Sequence, residues 1–364
     1  MGARAVINDP LERRAYLSRL RFLLEGTEGV QAWSLEYRSG LTGRYGVDVD
    51  RDAPDEPCAM WCPPDCRAHN PLGHLYERRF VYRIPETIAS TATGATLAPG
   101  EPPFFVRESI SWPFESVLVH GLEVPSAKQV ELRLAGPVAV LPTTSNYYHW
   151  LIEDLPLALR THEVDPSTPW VSYAAGITDR HRIVADAMGA ALTPAPLVVR
   201  CGEQILPGRA ADSFFPHPAD VDRIHRLGEH LTRQADAPTR SEYPERIYIS
   251  RRHSRRPLRD EFALEHHLAE RGFTTLVLEQ TPWIEQIRHF QAARVVIAPH
   301  GAGLANTAFS PSGTTVVELT IGTMFNRCYE WLAHVAGHDY RPVEADSEPL
   351  TGPQLADRAL AALS

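Results

Sequence analysis

Apolar residues change their spacing along the chain, and the changes divide it. Over 9–25, Leu11, Tyr16, Leu20, Leu23 and Leu24 recur at helical intervals among arginines, which predicts an N-terminal helix. Residues 40–115 are rich in Pro, Gly and Thr, with short strand-like runs such as FVYRI and FFVRESI. They predict an irregular, β-containing region. From about 128 the pattern becomes regular. The runs VELRL and PVAVLP lead to a helix over 147–162, a strand WVSYA, a helix over 179–188, a strand PLVVR and a long polar helix over 218–234. The stretch ADAPTRSEYPE, 235–245, has the composition of a linker. A cleaner alternation follows: strand RIYIS, helix 258–271, strand TTLVLE, helix 283–293, strand RVVIAP, a glycine turn, strand TTVVEL, helix 327–336, a strand near Tyr340 and a closing helix over 353–363.

Strands alternating with helices imply βαβ units and parallel sheets. The expected fold class is α/β: two Rossmann-like lobes behind an irregular N-terminal region, with boundaries at 1–115, 116–240 and 241–364. A cleft between two such lobes is the expected ligand site.

Composition narrows the function. The chain has 364 residues, 43% of them hydrophobic, enough for a sizeable core. It carries 36 Lys and Arg against 45 Asp and Glu, a net charge of −9. That field argues against a nucleic-acid partner, which requires a basic footprint. No apolar run approaches membrane-span length, and the charged N-terminus lacks a signal-peptide core. A soluble, cytoplasmic protein is expected, with association at the inner face of a membrane as the variant of that expectation. Cys58, Cys62 and Cys66 cluster in CAMWCPPDC, but a zinc knuckle needs a second ligand pair. Only His69 and His74 follow, so reduced thiols are the favoured reading. Cys201 and Cys328 read as small buried apolar residues. Trp150, Trp283 and Trp331 read as core residues, and His266–His267 as a surface pair.

Three segments carry candidate chemistry. His300-Gly301-Ala302-Gly303 follows a buried strand and opens a short helix, where small residues let a phosphate reach backbone amides. Glycine spacing alone fits a ligand-free turn equally well. Ser250 to Arg259 holds five arginines and no acid, again just past a strand. Guanidinium groups grip phosphate bidentately and keep their charge; a solvated loop is the bland alternative. Both segments leave the same side of one parallel sheet, so together they form a plausible diphosphate cradle. No Asp-x-Asp pair offers itself to a divalent cation. In NYYHWLIEDLP, His149 and Glu153 are four apart and share one helical face, with Asn146 or Ser145 as cap. That is a workable general-base arrangement; a structural ion pair is the alternative. Asp154 points about 100° away and ranks lower.

NYYHWLIEDLP, YISRRHSRRPLRDE and APHGAGLANTAFSPSGTTVVEL, in this order within about 130–345, resemble the signature blocks of glycosyltransferase family 61. That family includes bacterial capsular-polysaccharide proteins, plant wall xylosyl- and arabinosyltransferases and animal EGF-domain-specific O-GlcNAc transferases. The resemblance implies an inverting, metal-independent transferase of the GT-B type, with two facing Rossmann-like lobes. It would move a hexosyl or pentosyl group from a nucleoside diphosphate sugar to a hydroxyl acceptor, in surface or capsular polysaccharide biosynthesis, without a cofactor. The donor would lie on the C-terminal lobe and a glycan or other acceptor on the N-terminal one. Glu153 is then the implied base, assisted by His149. Ser250, Arg251, Arg255, Arg256, His300, Gly301, Ala302, Gly303, Leu304 and Asn306 would bind the donor, with Glu318 on the ribose hydroxyls. Asp260 stands where many members have Asn and is given no role. The alternative is a catalytically degenerate nucleotide-sugar-binding protein. A dinucleotide enzyme would need a GxGxxG turn and an acid about 20 residues on, and neither occurs in that relation.

Overall fold

A computed structural model describes residues 46–48, 58–59, 75–76, 80–99, 104–106, 109, 130–208, 216–233, 242–254, 257–320, 327–345 and 350–364. The helix expected over 9–25, Cys62, Cys66, Arg255 and Arg256 lie outside these residues. The chain forms two compact units, Met1–Ser145 with Glu153–Phe215, and Asn146–Ile152 with Pro216–Ser364. No described helix is long and apolar enough to cross a membrane.

The first unit is built on an eight-stranded mixed sheet. Its early strands are β1 (Gly46–Asp48), β4 (Phe80–Ser90), β5 (Thr96–Ala98) and β6 (Phe104–Val106), while β2 (Cys58–Ala59) and β3 (Leu75–Tyr76) pair separately. β7 (Leu132–Val140) follows. The chain then passes through α1 (Tyr147–His149), a π-helical turn (Trp150–Asp154) and α2 (Leu155–Val164). After these come β8 (Trp170–Tyr173), α3 (Asp179–Met188), β9 (Leu192–Ala195) and β10 (Val198–Pro207). The strand order is β6-β5-β4-β10-β7-β8-β9, with β1 on β4. β10, β7, β8 and β9 run parallel, whereas β4 meets β10 antiparallel, Val199 opposite Ala89. The runs FVYRI and FFVRESI therefore supply strands to the same sheet as PVAVLP. Ala89, Val138, Val140, Val171, Ala195, Val199 and Cys201 close the core. Burial raises the Cys201 thiol to about 11, so it packs as a neutral apolar group. Gly202 marks a register shift against β7. A Cβ there would lie 2.5 Å from the Ala135 carbonyl oxygen.

The single helix expected over 147–162 is broken, and Pro156 supplies the reason. A proline has no N–H to give the carbonyl four residues back, and its ring crowds that carbonyl. The ladder slips into the π-turn, and α2 restarts with Pro156 in its first turn. Asn146 is the cap at the other end, its side chain accepting from the Tyr148 amide at 2.9 Å.

The second unit holds α4 (Pro218–Arg233) and a five-stranded, wholly parallel sheet. Its further elements are β11 (Arg246–Ile249), α5 (Glu261–Ala269), β12 (Thr274–Leu276), α6 (Trp283–Ala292) and β13 (Val295–Pro299). A 3₁₀ helix (Ala302–Phe309), β14 (Thr315–Thr320), α7 (Cys328–Ala336), β15 (Asp339–Glu344) and α8 (Gly352–Ala361) complete it. The strand order is β12-β11-β13-β14-β15. The central strands are apolar along their length because helices cover both faces of such sheets. Tyr248, Leu264, Leu268, Ile297, Val317, Leu319 and Leu355 meet in the core. Asp260 adopts φ 55° ahead of α5 and accepts from the Gly352 amide at 2.8 Å. Asp and Asn are the non-glycine residues that tolerate this left-handed region best. Asp260 thus serves the joint between α5 and α8.

Candidate active site

In an open parallel sheet, ligands bind beyond the carboxyl ends of the strands where the order reverses. Here the reversal lies between β11 and β13, the strands that deliver Ser250–Arg251 and His300–Gly301. The turn after β11 is held from below. The buried Glu261 carboxylate accepts from the Tyr248 hydroxyl at 2.8 Å and from the Arg251 amide at 2.6 Å. Ser250 is buried, and its Oγ accepts from the Arg252 amide at 3.3 Å. With its backbone pinned, Arg251 turns its side chain toward the second loop, where Nη1 donates to the His300 carbonyl. A Cβ on Gly301 would lie 3.2 Å from both Cζ and Nε of that guanidinium. The φ of Gly301 is 170°, ordinary extended backbone, so the glycine is needed for space.

The expected arginine cluster resolves into separate parts. Arg251 reaches the glycine turn. Arg252 pairs with Glu265 at 2.9 Å, and Arg259 is exposed. Gly303 also supplies space, since a Cβ there would meet Leu278 Cδ1 at 2.8 Å. Ala302 and Gly303 begin the 3₁₀ helix, whose first amides have no partner within the helix itself. Leu304 is a core residue.

Besides Ser250 and Leu304, two more residues expected to touch the donor are enclosed. Asn306 is 0% exposed. Its Oδ1 accepts from the Tyr147 hydroxyl, and its Nδ2 donates to Gln286 Oε1 at 3.1 Å. Trp283 Nε1 donates to the same tyrosine oxygen at 2.9 Å, and Gln286 Nε2 bonds the Leu278 and Thr281 carbonyls at 2.8 Å. Asn306 therefore ties α1 to the glycine turn. Glu318 is also 0% exposed. Its Oε1 faces His300 Nδ1, and its Oε2 accepts from the Tyr340 hydroxyl at 2.5 Å. A ribose would reach it only by displacing one of these partners. The Tyr329 ring lies edge-on to His300 with centroids 5.2 Å apart, and Tyr148 lies edge-on to Tyr329 at 5.5 Å.

The expected His149–Glu153 pair straddles the division of the chain. His149 is half-buried and belongs to the second unit; Glu153, in the π-turn, is half-buried and belongs to the first. π-turns recur at functional positions, but they do not keep the i, i+4 alignment of an α-helix. Asp154 is buried and accepts from the Thr144 amide at 3.2 Å, a local anchor. Trp150, Trp283 and Trp331 are core residues, as expected.

Glu261, Tyr147, Gln286, Tyr329 and Tyr340 were not singled out by the sequence. One signal was present for Tyr340. A glutamate inside the apolar run TTVVEL demands buried partners, and β15 is the strand beside it. Among the described residues, no group of three or more His, Cys, Asp or Glu side chains is arranged to hold a metal ion.

The arrangement defines a doubly wound α/β protein with a cationic side chain and a glycine turn at its strand-order reversal. The family model described as Glycosyltransferase 61 matches residues 147–317, which supports membership of glycosyltransferase family 61. The matched span opens at Tyr147 and includes Arg251 and the glycine turn; Glu318 and Tyr340 lie beyond it. No curated protein matches the chain. Membership supports glycosyltransferase activity, which requires a sugar donor and an acceptor.

Proposed function

We propose that this chain is an inverting, metal-independent glycosyltransferase of the GT-B type that takes a hexosyl or pentosyl group from a nucleoside diphosphate sugar to a hydroxyl acceptor. One observation carries the reading: the Arg251 guanidinium lies over Gly301 and bonds the His300 carbonyl at the strand-order reversal of a parallel sheet. A fixed cation beside helix-start amides suits a diphosphate, whose negative charge grows as the sugar leaves. The acceptor oxygen attacks the anomeric carbon as the bond to the diphosphate breaks. The electron pair leaves with the diphosphate, and the hydroxyl proton passes to Glu153, assisted by His149. Arg251 and the turn amides supply the countercharge that a metal ion provides in other transferases. Surface or capsular polysaccharide assembly, in the cytoplasm or at the inner face of a membrane, is the setting that the family resemblance suggests.

The test is a thermal-shift series with UDP-, GDP-, CMP- and dTDP-linked sugars in the presence of EDTA. One nucleoside diphosphate class is expected to raise the melting temperature despite the chelator, and Arg251→Ala to abolish that rise at unchanged fold. A rise that needs a divalent cation, or no rise with any donor, would refute the proposal.

A further inference from the structure

We infer that Tyr147 is a positioning residue whose hydroxyl sets the segment carrying His149 in register with the glycine turn. The inference rests on the transferase reading above, in which His149 assists the base and the turn receives the donor.

Tyr147, His149, Trp283, Gln286 and Asn306 all belong to the second unit. α1 is three residues long, from Tyr147 to His149. So short a helix does not hold itself in place, because the cost of ordering one turn outweighs its few hydrogen bonds. Its place must come from what it touches. Apolar contact supplies part of this: Trp150, the next residue, lies edge-on to Trp283 of α6 with ring centroids 5.3 Å apart. A phenylalanine at 147 would serve such packing equally well. The hydroxyl adds direction.

Each bond of that hydroxyl has one possible sense. An indole N–H only donates, so Trp283 Nε1 gives its proton to the tyrosine oxygen, at 2.9 Å. The phenolic proton goes to Asn306 Oδ1. That orients the asparagine amide, whose Nδ2 donates to Gln286 Oε1 at 3.1 Å. The glutamine is oriented in turn, since its Nε2 meets the Leu278 and Thr281 carbonyls, which only accept. The relay begins on an obligate donor and ends on obligate acceptors. A flipped amide or a displaced α1 would leave buried polar groups without partners, which is costly.

Asn306 lies in the 3₁₀ helix that starts at Ala302, and His149 lies two residues past Tyr147. One phenol therefore links the turn to the segment that carries the histidine. The 3₁₀ helix is anchored besides by its buried Leu304, Ala308 and Phe309, so α1 is the end that gives when the link is cut. Proton transfer needs its groups at hydrogen-bond distance, and a misplacement of about 1 Å can cost as much as ~10²-fold. The relay removes that freedom before either substrate arrives. In this account the enclosed Asn306 belongs to the frame of the site and does not touch the donor.

Tyr147→Phe, His149→Ala and the double variant of the full chain test the inference. Affinity is read by isothermal titration with UDP, GDP, CDP and dTDP. Turnover is read as nucleoside diphosphate released from the corresponding nucleotide sugars, with water and free monosaccharides as acceptors. Tyr147→Phe should keep nucleotide affinity within about twofold and lower turnover about tenfold, inside the range that misplacement produces. That loss should vanish in the His149→Ala background, because a group already removed cannot be misplaced. A merely structural tyrosine would cost the same factor in both backgrounds, and that result overturns the inference. So does wild-type turnover in Tyr147→Phe. Should Tyr147→Phe fail to fold, Gln286→Met, which cuts the far end of the relay, is judged by the same criteria with a smaller loss. If wild type binds no nucleotide or releases no diphosphate, the functional proposal falls as well; if it does both and Tyr147→Phe matches it, only this inference falls.

Discussion

The two sheets are assembled by different rules. In the second unit every strand is parallel to its neighbours, and each comes from the next strand–helix repeat along the chain. In the first, β10 is wedged between β7, which it meets in parallel, and β4, which it meets antiparallel from more than a hundred residues away. A parallel sheet covered on both faces forces its loops to its two ends. Arg251 and Gly301 therefore meet without any contact designed between β11 and β13 beyond their pairing. The mixed sheet offers no such automatic convergence, and its candidate base, Glu153, sits where a helix is interrupted.

On the function proposed above, proton transfer would fall to Glu153 in the first unit and leaving-group charge to Arg251 in the second, and substitutions can separate the two. The largest effect is expected from Glu153→Gln. Turnover should fall by at least ~10²-fold, the usual scale of general-base catalysis, while calorimetric affinity for the donor nucleotide stays within twofold or so of wild type. Near-normal turnover would remove Glu153 from the chemistry.

Acid should stress both units through buried histidines, His338 and His181 most strongly. Burial is the main cause that lowers His338, in the second unit, and His181, in the first, to about 4. His181 Nδ1 also accepts from the Thr178 amide at 3.1 Å, which its protonated form cannot do. A folded pKa near 4 against 6.5 unfolded means that the unfolded chain binds more protons between those values. Stability is then full above about pH 6.5 and declines as pH falls toward 4. His338 should contribute on the order of 2 kcal/mol to this loss, and the less enclosed His181 a smaller part after solvent screening. Melting curves of wild type and His338→Gln from pH 7 to 4.5 check it: the variant should show the shallower decline, and parallel curves would exclude His338.

The smallest effect is also the most local. Gly301→Ala places a methyl 3.2 Å from the Arg251 guanidinium without straining the backbone. The melting temperature should barely change, and donor affinity should fall about threefold as the cation is displaced, a cost below 1.4 kcal/mol. A large loss of stability with unchanged affinity would make the glycine a packing residue only.

The second unit was largely legible in sequence because its periodicities are local. RIYIS, RVVIAP and TTVVEL are near-continuous apolar runs between helical stretches, and that pattern alone places residues 250 and 300 at one sheet end. What escaped was non-local. The strand containing FVYRI continues through Pro85 and Glu86, the latter at φ 54°. A proline within such a run argues against a long strand, so the reach of β4 was hidden. Pro156 was compatible with an unbroken helix until the carbonyl it orphans was considered. In LANTAF, an asparagine reads as a polar ligand group; only the fold supplies Tyr147 and Gln286 to enclose it. Glu318, at the end of TTVVEL, reads in sequence as a ribose ligand. Its enclosure by His300 and Tyr340 depends on a strand pairing that no local pattern encodes.

The excursion of Asn146–Ile152 has a consequence for how this molecule can be divided. The second unit is not one contiguous stretch of polypeptide: it borrows seven residues from upstream and returns the chain at Glu153. A gene fragment opening at Pro216 would encode all five parallel strands and still yield an unfinished body. Trp283 and Asn306 would lose the phenol they share, and Tyr329 would lose the ring that covers one of its edges.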